Sequence, residues 1–168
     1  MKSSALLVDA FERIRDAVHP AISGLSPEEL GFRPGGASNS IGWLVWHLAR
    51  VQDDHVAALR EAEQVWTAGG WAERFALPLA VTDIGYGHSP QEVGMVTTNA
   101  SLLAGYFEEV HDATVTYIEG LSDADLDRVV DQRWDPPVTC SVRLVSVVAD
   151  DLQHVGQAAY VRGILPIR

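Results

Sequence analysis

Asp150 and His154 are the two residues of this chain whose types and spacing point most directly to chemistry. They stand four positions apart within a largely apolar stretch that runs from Val145 to Val161. If this stretch is helical, side chains four residues apart leave the same face of the helix. A carboxylate and an imidazole are costly to bury on an apolar face unless something pairs with them. A divalent metal ion is one such partner, and it requires a third ligand from elsewhere in the chain.

His47 is the obvious donor of that third ligand, because it lies in a second apolar stretch, Ile41 to Ala49. The sequence therefore predicts a metal site formed by His47, Asp150 and His154, with one or more positions open to water or substrate. From the residues alone, each histidine is equally explained as a core residue hydrogen-bonded to a backbone carbonyl. Asp151 is likewise an alternative to Asp150 as the buried acid.

Composition limits the classes of function to consider. The chain has 168 residues, a length that suits one domain with a real core, and 47% of its residues are hydrophobic, as in globular proteins. Its formal net charge of −11 argues against nucleic acid or an anionic membrane surface as a partner, because either would repel it. No stretch approaches the roughly 18 apolar residues of a membrane span. We expect a single domain over residues 1–168 with a small molecule as its partner.

The cysteine content and the N-terminus bear on location. Cys140 has no second cysteine with which to form an intrachain disulfide, so a reducing cytoplasm is the simplest setting. The first helical segment carries charged residues and lacks the apolar core of a signal peptide. We therefore expect a soluble cytoplasmic protein. Cys140 has no histidine beside it in the sequence, and a lone cysteine is more often a packing residue than a nucleophile.

Hydrophobic periodicity predicts four long helices and no strands. Apolar residues recur at spacings of three and four, which is the pattern of a helix with one buried face. The four segments are residues 4–19, 40–62, 90–119 and 141–162. Ser26 followed by proline and then by Glu29 predicts a short capped turn after the first helix. Residues 64–90 predict a long irregular connection, so the expected fold class is an all-α four-helix bundle with this connection between its second and third helices.

A weak internal repeat relates the second and fourth of these helices. Laying Asp150 on His47 also superposes apolar positions of the two helices, and each helix follows a Gly-Leu-Ser turn, at Gly24 and at Gly120. The repeat predicts that the two histidine-bearing helices are neighbours in the bundle.

Two segments resemble motifs of a known family. They are Ser40-Ile41-Gly42-Trp43-Leu44-Val45-Trp46-His47-Leu48 and His154-Val155-Gly156-Gln157. Together they resemble the DinB-like superfamily, whose members include thiol-dependent S-transferases of bacteria that use mycothiol or bacillithiol. The resemblance implies a four-helix bundle that binds a divalent metal, often zinc or nickel, through one histidine on the second helix and two on the fourth. His47 and His154 match this pattern, whereas Asp150 places a carboxylate where the other histidine would stand.

The function that the resemblance implies is a metal-dependent thiol S-transferase. A low-molecular-weight thiol such as mycothiol would bind the metal as its thiolate and attack an electrophilic small molecule. A non-catalytic metal-binding or stress-associated protein is one alternative, which the departure at Asp150 favours. A metal-assisted hydrolase with water as the nucleophile is another. A homodimer is also an expectation, since helical bundles with apolar surface left over often dimerise.

Two further residues are candidates for catalytic roles beside the metal. Asp54 follows His47 by seven positions and returns to nearly the same helix face, where it would orient a ligand. Gln157 follows His154 by three and would contact substrate or water. A solvated helix face is the alternative for Asp54.

The remaining aromatic and histidine residues receive simpler interpretations. His55 is predicted to lie outside the metal shell. We expect three aromatic residues of the connection to wall part of the pocket, namely Trp66, Trp71 and Tyr86. Trp43 and Trp46 are interpreted as packing residues. Three histidines without partner spacing are interpreted as surface residues: His19, His88 and His111.

Overall fold

Nine helices form almost all of the regular structure in the computed structural model, which describes residues 2–166. In chain order they are α1 (Ser3–Ile22), α2 (Pro27–Leu30), α3 (Ile41–Arg60), α4 (Val65–Ala68), α5 (Trp71–Phe75), α6 (Pro90–Met95), α7 (Ala100–Glu119), α8 (Asp123–Asp127) and α9 (Cys140–Gly163). A single 3-10 turn spans Pro34–Gly36. The four long helices, α1, α3, α7 and α9, form the bundle, which confirms the predicted all-α fold.

Side-chain caps fix the starting points of the two helices that carry the candidate ligands. Ser40 caps α3 and Thr139 caps α9, and each side chain accepts a hydrogen bond from the backbone N–H three residues on. Such caps satisfy N–H groups that have no partner within the helix. The predicted pairing of Ser26 with Glu29 is also present and forms a full capping box at α2.

α3 packs against α9 and α7, and α1 packs against the same two helices, so α3 and α1 lie diagonally opposite each other in the bundle. α3 and α9 run antiparallel, because His47 lies beside His154 whereas His55, two turns later, lies beside Arg143. The histidine-bearing helices are therefore direct neighbours, as the internal repeat predicts.

Residues 41–53 of α3 are all buried, including charged ones, because the connection to α7 covers the side of the helix that the bundle leaves open. Asp53 accepts hydrogen bonds from the backbone N–H groups of Val65 and Trp66, at the start of α4, and from the hydroxyl of Tyr106. Arg50 lies 3.6 Å from the same carboxylate. This buried network ties the connection to the bundle.

The predicted third helix is wrong as one continuous segment. α6 ends at Met95, and α7 begins only at Ala100. Asn99 interrupts the run, because its side chain accepts a hydrogen bond from the backbone N–H of Leu102 and caps a new helix. Apolar spacing continues across the break, which is why periodicity alone joined the two helices.

The prediction of no strands is also wrong in one place. β1 (Val129–Asp131) and β2 (Val138–Thr139) form a small antiparallel pair with an irregular register, immediately before α9. Strands of two and three residues are too short to show the alternation that identifies a strand in a sequence. None of the helices within residues 2–166 combines the length and hydropathy that crossing a membrane requires.

Candidate metal centre

His47, Asp150 and His154 come together where α3 packs against α9. Each offers one ligand atom, and these atoms all lie within 4.8 Å of one another. His47 is buried, whereas Asp150 and His154 are partly exposed. Two adjacent helices thus supply the three predicted residues to one point, with the i and i+4 spacing of Asp150 and His154 placing both on one face of α9.

The imidazole of His47 is held in one orientation and one tautomer. Its Nδ1 donates a hydrogen bond to the backbone carbonyl of Ile84, which leaves the lone pair of Nε2 available to a metal. The ring stacks on Trp43, with centroids 4.5 Å apart and planes 15° from parallel. Burial lowers the pKa of His47, although the carbonyl of Ile84 opposes this shift. The neutral form that a metal requires is therefore favoured.

Asp150 and His154 are paired through the backbone and through charge. Nδ1 of His154 donates to the backbone carbonyl of Asp150 at 2.8 Å, so Nε2 of His154 is also left free. Burial alone would lower the pKa of His154, but its contact with the Asp150 carboxylate raises it. Burial would conversely raise the pKa of Asp150, but His154 lowers it. At neutral pH Asp150 is thus a carboxylate facing two imidazoles.

One oxygen of Asp150 provides an independent test of whether the residues fit a metal ion. Oδ2 lies 3.2 Å from Nδ1 of His154, but the proton on that nitrogen is directed at the backbone carbonyl. Oδ2 is inaccessible to solvent and accepts no hydrogen bond. A buried carboxylate oxygen that accepts no hydrogen bond is costly, and a bound cation would compensate its charge more fully than the neighbouring imidazole does. Two imidazole nitrogens and one carboxylate oxygen form a donor set that suits a divalent transition metal with open positions.

A cavity of about 300 Å³ opens onto these three residues. Its wall is formed by Trp43, by residues 85–87 of the connection and by His88. Trp43 donates from its indole N–H to Nδ1 of His88, and Nε2 of His88 lies 3.0 Å from both carboxylate oxygens of Asp83. The cavity wall is therefore a hydrogen-bonded assembly of α3 and the connection.

Gly85 brings the connection close to the metal ligands. Its φ of +91° lies in the region that favours glycine, and a Cβ on it would lie 2.6 Å from Nδ1 of His47. The interpretation of His88 as a surface residue is wrong, since its side chain is 4% exposed. His111 is also buried, whereas the side chain of His19 is 44% exposed and lies beside Glu108. No spacing signal marks His88, because it stands on irregular backbone.

The other predicted site residues lie outside this cavity. Asp54 accepts a hydrogen bond from Gln64 and borders a neighbouring cavity, and Gln157 is exposed on α9. Their catalytic roles remain predictions. Of the aromatic residues expected to wall the pocket, Tyr86 does so, whereas Trp66 and Trp71 are buried among other aromatic rings of the connection and α7.

Two residues weighed as alternatives are both buried. Asp151 is fully buried, neither of its carboxylate oxygens has a partner, and burial with the charge of Asp150 raises its pKa. It is not part of the three-residue cluster. Cys140 is buried at the first residue of α9, with its sulfur 3.8 Å from the hydroxyl of Tyr117. Nothing places this thiol at the cavity.

Comparison with known families gives the decisive observation. The sequence profile of the family described as mycothiol-S-transferase matches residues 6–166. The chain belongs to the mycothiol-S-transferase family. This membership confirms the resemblance to the DinB-like superfamily, which rested on the segments around His47 and His154.

The architecture of this mycothiol-S-transferase family member is shared with a solved structure. A crystal structure of a conserved protein from Enterococcus faecalis is 31% identical in sequence, covers 98% of each chain and superposes with a TM-score of 0.91. Comparison with functionally curated proteins gives no match. The family thus supports a mycothiol-related S-transferase, while the three-residue cluster is a property of this chain's own geometry.

Proposed function

We propose that this protein is a metal-dependent transferase that joins the sulfur of mycothiol to an electrophilic small molecule in the cytoplasm. The observation that carries the proposal is the buried oxygen of Asp150, which accepts no hydrogen bond and lies in a cluster with two oriented imidazoles, in a chain of the mycothiol-S-transferase family. His47, Asp150 and His154 would hold the metal. A bound divalent ion would lower the pKa of a coordinated thiol and so supply a thiolate at neutral pH.

The residues around the ligands have separate tasks. The Ile84 carbonyl and the Trp43 ring hold His47 in position, so that its lone pair is presented without a change of rotamer. Trp43, Tyr86 and the ring of His88 form a wall of aromatic rings against which the electrophile would lie. In the reaction the S–H bond breaks, a carbon–sulfur bond forms, and the electrophile loses a leaving group or gains a proton.

The expected metal is zinc or nickel. The same donor set also suits iron(II), so metal analysis should include iron. Protein purified without chelator or affinity tag should contain a near-stoichiometric divalent metal. His154→Ala should lose it, whereas His19→Ala, a matched control outside the cluster, should keep it. A wild-type protein that neither contains metal nor takes up added zinc or nickel would contradict the three-ligand site.

The reaction is tested separately with mycothiol and a chlorinated aromatic electrophile. Thiol consumption that needs the metal and is lost in His154→Ala supports the transferase. Ester or amide cleavage without added thiol would instead indicate a hydrolase. A loaded protein that catalyses neither reaction would be a non-catalytic metal-binding protein.

A further inference from the structure

A second cavity lies beside the metal cavity, between α3, α9 and the hairpin formed by β1 and β2. Its volume is about 480 Å³, larger than the metal cavity. The polar side chains that line it are Asp54, His55, Asp131, Gln132, Arg133 and Arg143. None of these belongs to the three-residue metal cluster.

The position of this second cavity relative to the metal centre follows from the helices. Asp54 follows His47 by seven residues, and Arg143 precedes Asp150 by seven. Seven residues are about two turns, or roughly 10 Å along the helix axis. Because α3 and α9 are antiparallel, both steps lead in the same direction. A ligand held at the metal by one end therefore has the second cavity within reach of its other end.

The lining of the second cavity mixes hydrogen-bond donors and acceptors with little net charge. Arg143 donates to Asp131 at 3.2 Å and to Nδ1 of His55 at 3.2 Å. Arg133 donates to the same carboxylate at 2.9 and 3.0 Å. Nδ1 of His55 accepts, so its ring proton is on Nε2, and burial together with the charge of Arg143 lowers the pKa of this imidazole. Two guanidinium groups are balanced by two carboxylates, beside a neutral imidazole and the amide of Gln132.

Hydroxyl groups both donate and accept hydrogen bonds, so this kind of lining suits a polyol. An anion would face two carboxylates, and apolar side chains of α3 and β1 offer contact to ring C–H groups. Mycothiol is N-acetylcysteine joined through an amide to a glucosamine–inositol unit, which is uncharged and rich in hydroxyls. We propose that the second cavity binds this sugar–inositol part while the sulfur lies at the metal centre. The identity of the thiol rests on the proposed function.

N-acetylglucosaminyl-inositol tests the proposal, because it has the hydroxyl-rich unit and lacks the thiol. We expect calorimetry to show binding to chelator-treated protein, with NMR shifts at residues 54–59 and 129–133 rather than at 84–88. Arg143→Gln should weaken binding about ten-fold or more, because it removes charge-assisted donors. Gln132→Ala should also weaken it, and this variant leaves the ion pairs of the cavity intact. Arg162→Gln, near the other end of α9, is the matched control and should bind as wild type does.

Several outcomes would overturn the proposal. The first is that the fragment does not bind wild-type protein, and the second is that a folded Arg143→Gln variant binds it as tightly as wild type does. The third is that the second cavity binds inorganic phosphate or malate in preference to the fragment. Fragment binding without thiol transfer would refute the proposed reaction and leave the subsite standing. Thiol transfer from mycothiol without fragment binding would refute the subsite and leave the reaction standing.

The outward face of α9 carries a second, independent signal. In a chain with a net charge of −11, none of the exposed residues of this 24-residue helix is charged. Exposed apolar or small residues follow one another at alternating spacings of three and four. They are Val142, Val145, Ala149, Leu152, Gly156, Ala159 and Gly163. We call this set the α9 stripe.

Glycine in the α9 stripe is not explained by the fold of one chain. A Cβ added at Gly156 would meet nothing within 4 Å, and glycine inside a helix weakens it. Close approach of another helix is the usual reason to accept that cost. In an antiparallel pair centred between Leu152 and Gln153, Val142 would face Gly163 and Ala149 would face Gly156, so both glycines of the stripe would face a larger side chain.

We infer that the α9 stripe is the interface with a second copy of this chain. Large apolar side chains on and beside the stripe are 43–69% exposed, namely Val142, Val145, Leu152, Tyr160 and Ile164. They present on the order of 500 Å², which is in the range of the largest apolar patch of a monomer, and such patches are often functional. Two copies would bury about 1,000 Å² from these residues alone, which is about the minimum area of a biological interface before the neighbouring residues are added. A face without charge is also where two acidic chains repel each other least.

Sedimentation over the micromolar range tests this interface. We expect a dimer for wild type and a monomer for Leu152→Glu, with Val145→Glu as a second variant at an exposed position. Val81→Glu is the matched control, since Val81 is 51% exposed but lies on the connection, and it should stay dimeric. A wild-type monomer at all concentrations, or dimers in both glutamate variants of the stripe, would overturn the inference.

Discussion

Replacing Gly85 with alanine is the sharpest test of the metal-site geometry. Gly85 has a φ of +91°, and an added Cβ would lie 2.6 Å from Nδ1 of His47. Gly87, two residues later, has a φ of +72°, and its Cβ would meet nothing within 4 Å. Both residues line the metal cavity. The pair of variants therefore separates backbone strain from the collision with His47.

The expected magnitudes follow from these two geometries. A side chain at positive φ costs roughly 1–2 kcal/mol, so Gly87→Ala should lower the free energy of unfolding by about that amount. Gly85→Ala must also move the Ile84 carbonyl away from His47, and a lost hydrogen bond adds about 0.5–1.5 kcal/mol. Loss of a hydrogen bond that orients a metal ligand typically weakens metal affinity about 10- to 100-fold. We expect this loss for Gly85→Ala and near-wild-type affinity for Gly87→Ala.

Urea unfolding of the metal-free proteins measures the free energy of unfolding, and competition with a chromophoric zinc chelator measures the metal affinity. The two variants should differ in both. Equal destabilisation and equal zinc affinity in the two variants would refute the role given to the contact between the connection and His47.

Further predictions concern titration, buried charge and thiol access. NMR titration of the metal-free protein should give a pKa above the ordinary imidazole value for His154 and a pKa below it for His47. Asp150→Asn should lower the pKa of His154, because the carboxylate that raises it is gone. The stability that charged His154 contributes is present below the unfolded-state pKa of about 6.5 and is lost as the pH rises through the raised native pKa. A His154 pKa that is unchanged in Asp150→Asn would contradict the pairing. Asp53→Asn should destabilise the fold by about 3 kcal/mol in urea unfolding, because it leaves a buried guanidinium without its counter-charge. Asp54→Asn is the matched control and should change the free energy of unfolding little, because Asp54 is partly exposed. Cys140 should react with a thiol reagent only after unfolding, since it is fully buried; fast reaction of the native protein would contradict its burial.

The parts of the site that lie on regular helices could be predicted from the sequence. Helical geometry fixes the relation of Asp150 to His154, and the repeat placed the helix of His47 beside them. The same geometry does not fix the distance of Asp54 from the metal cavity, because a residue seven positions on shares the face of His47 but lies two turns away. In the structure Asp54 borders the second cavity.

The contributions of the connection could not be predicted in the same way. His88 and Gly85 reach the site through irregular backbone, whose path depends on contacts with Trp43, Trp46 and His47 that no local pattern encodes. Periodicity also joined α6 to α7, since it does not register the competing hydrogen bond of the Asn99 side chain.

The connection between α3 and α7 is long and irregular, yet it is not an insertion that can be removed. Its backbone at Val65 and Trp66 supplies partners to the buried carboxylate of Asp53, and the amide oxygen of Gln64 accepts from Arg50. A short flexible linker in its place would save little, because loop closure costs only about 0.6 kcal/mol more per doubling of length. It would leave the buried pair of Arg50 and Asp53 without the hydrogen bonds that the connection supplies, at a greater cost. Relatives with a shorter connection should therefore carry uncharged residues at the positions of both Arg50 and Asp53, and designers who shorten it should replace the two together.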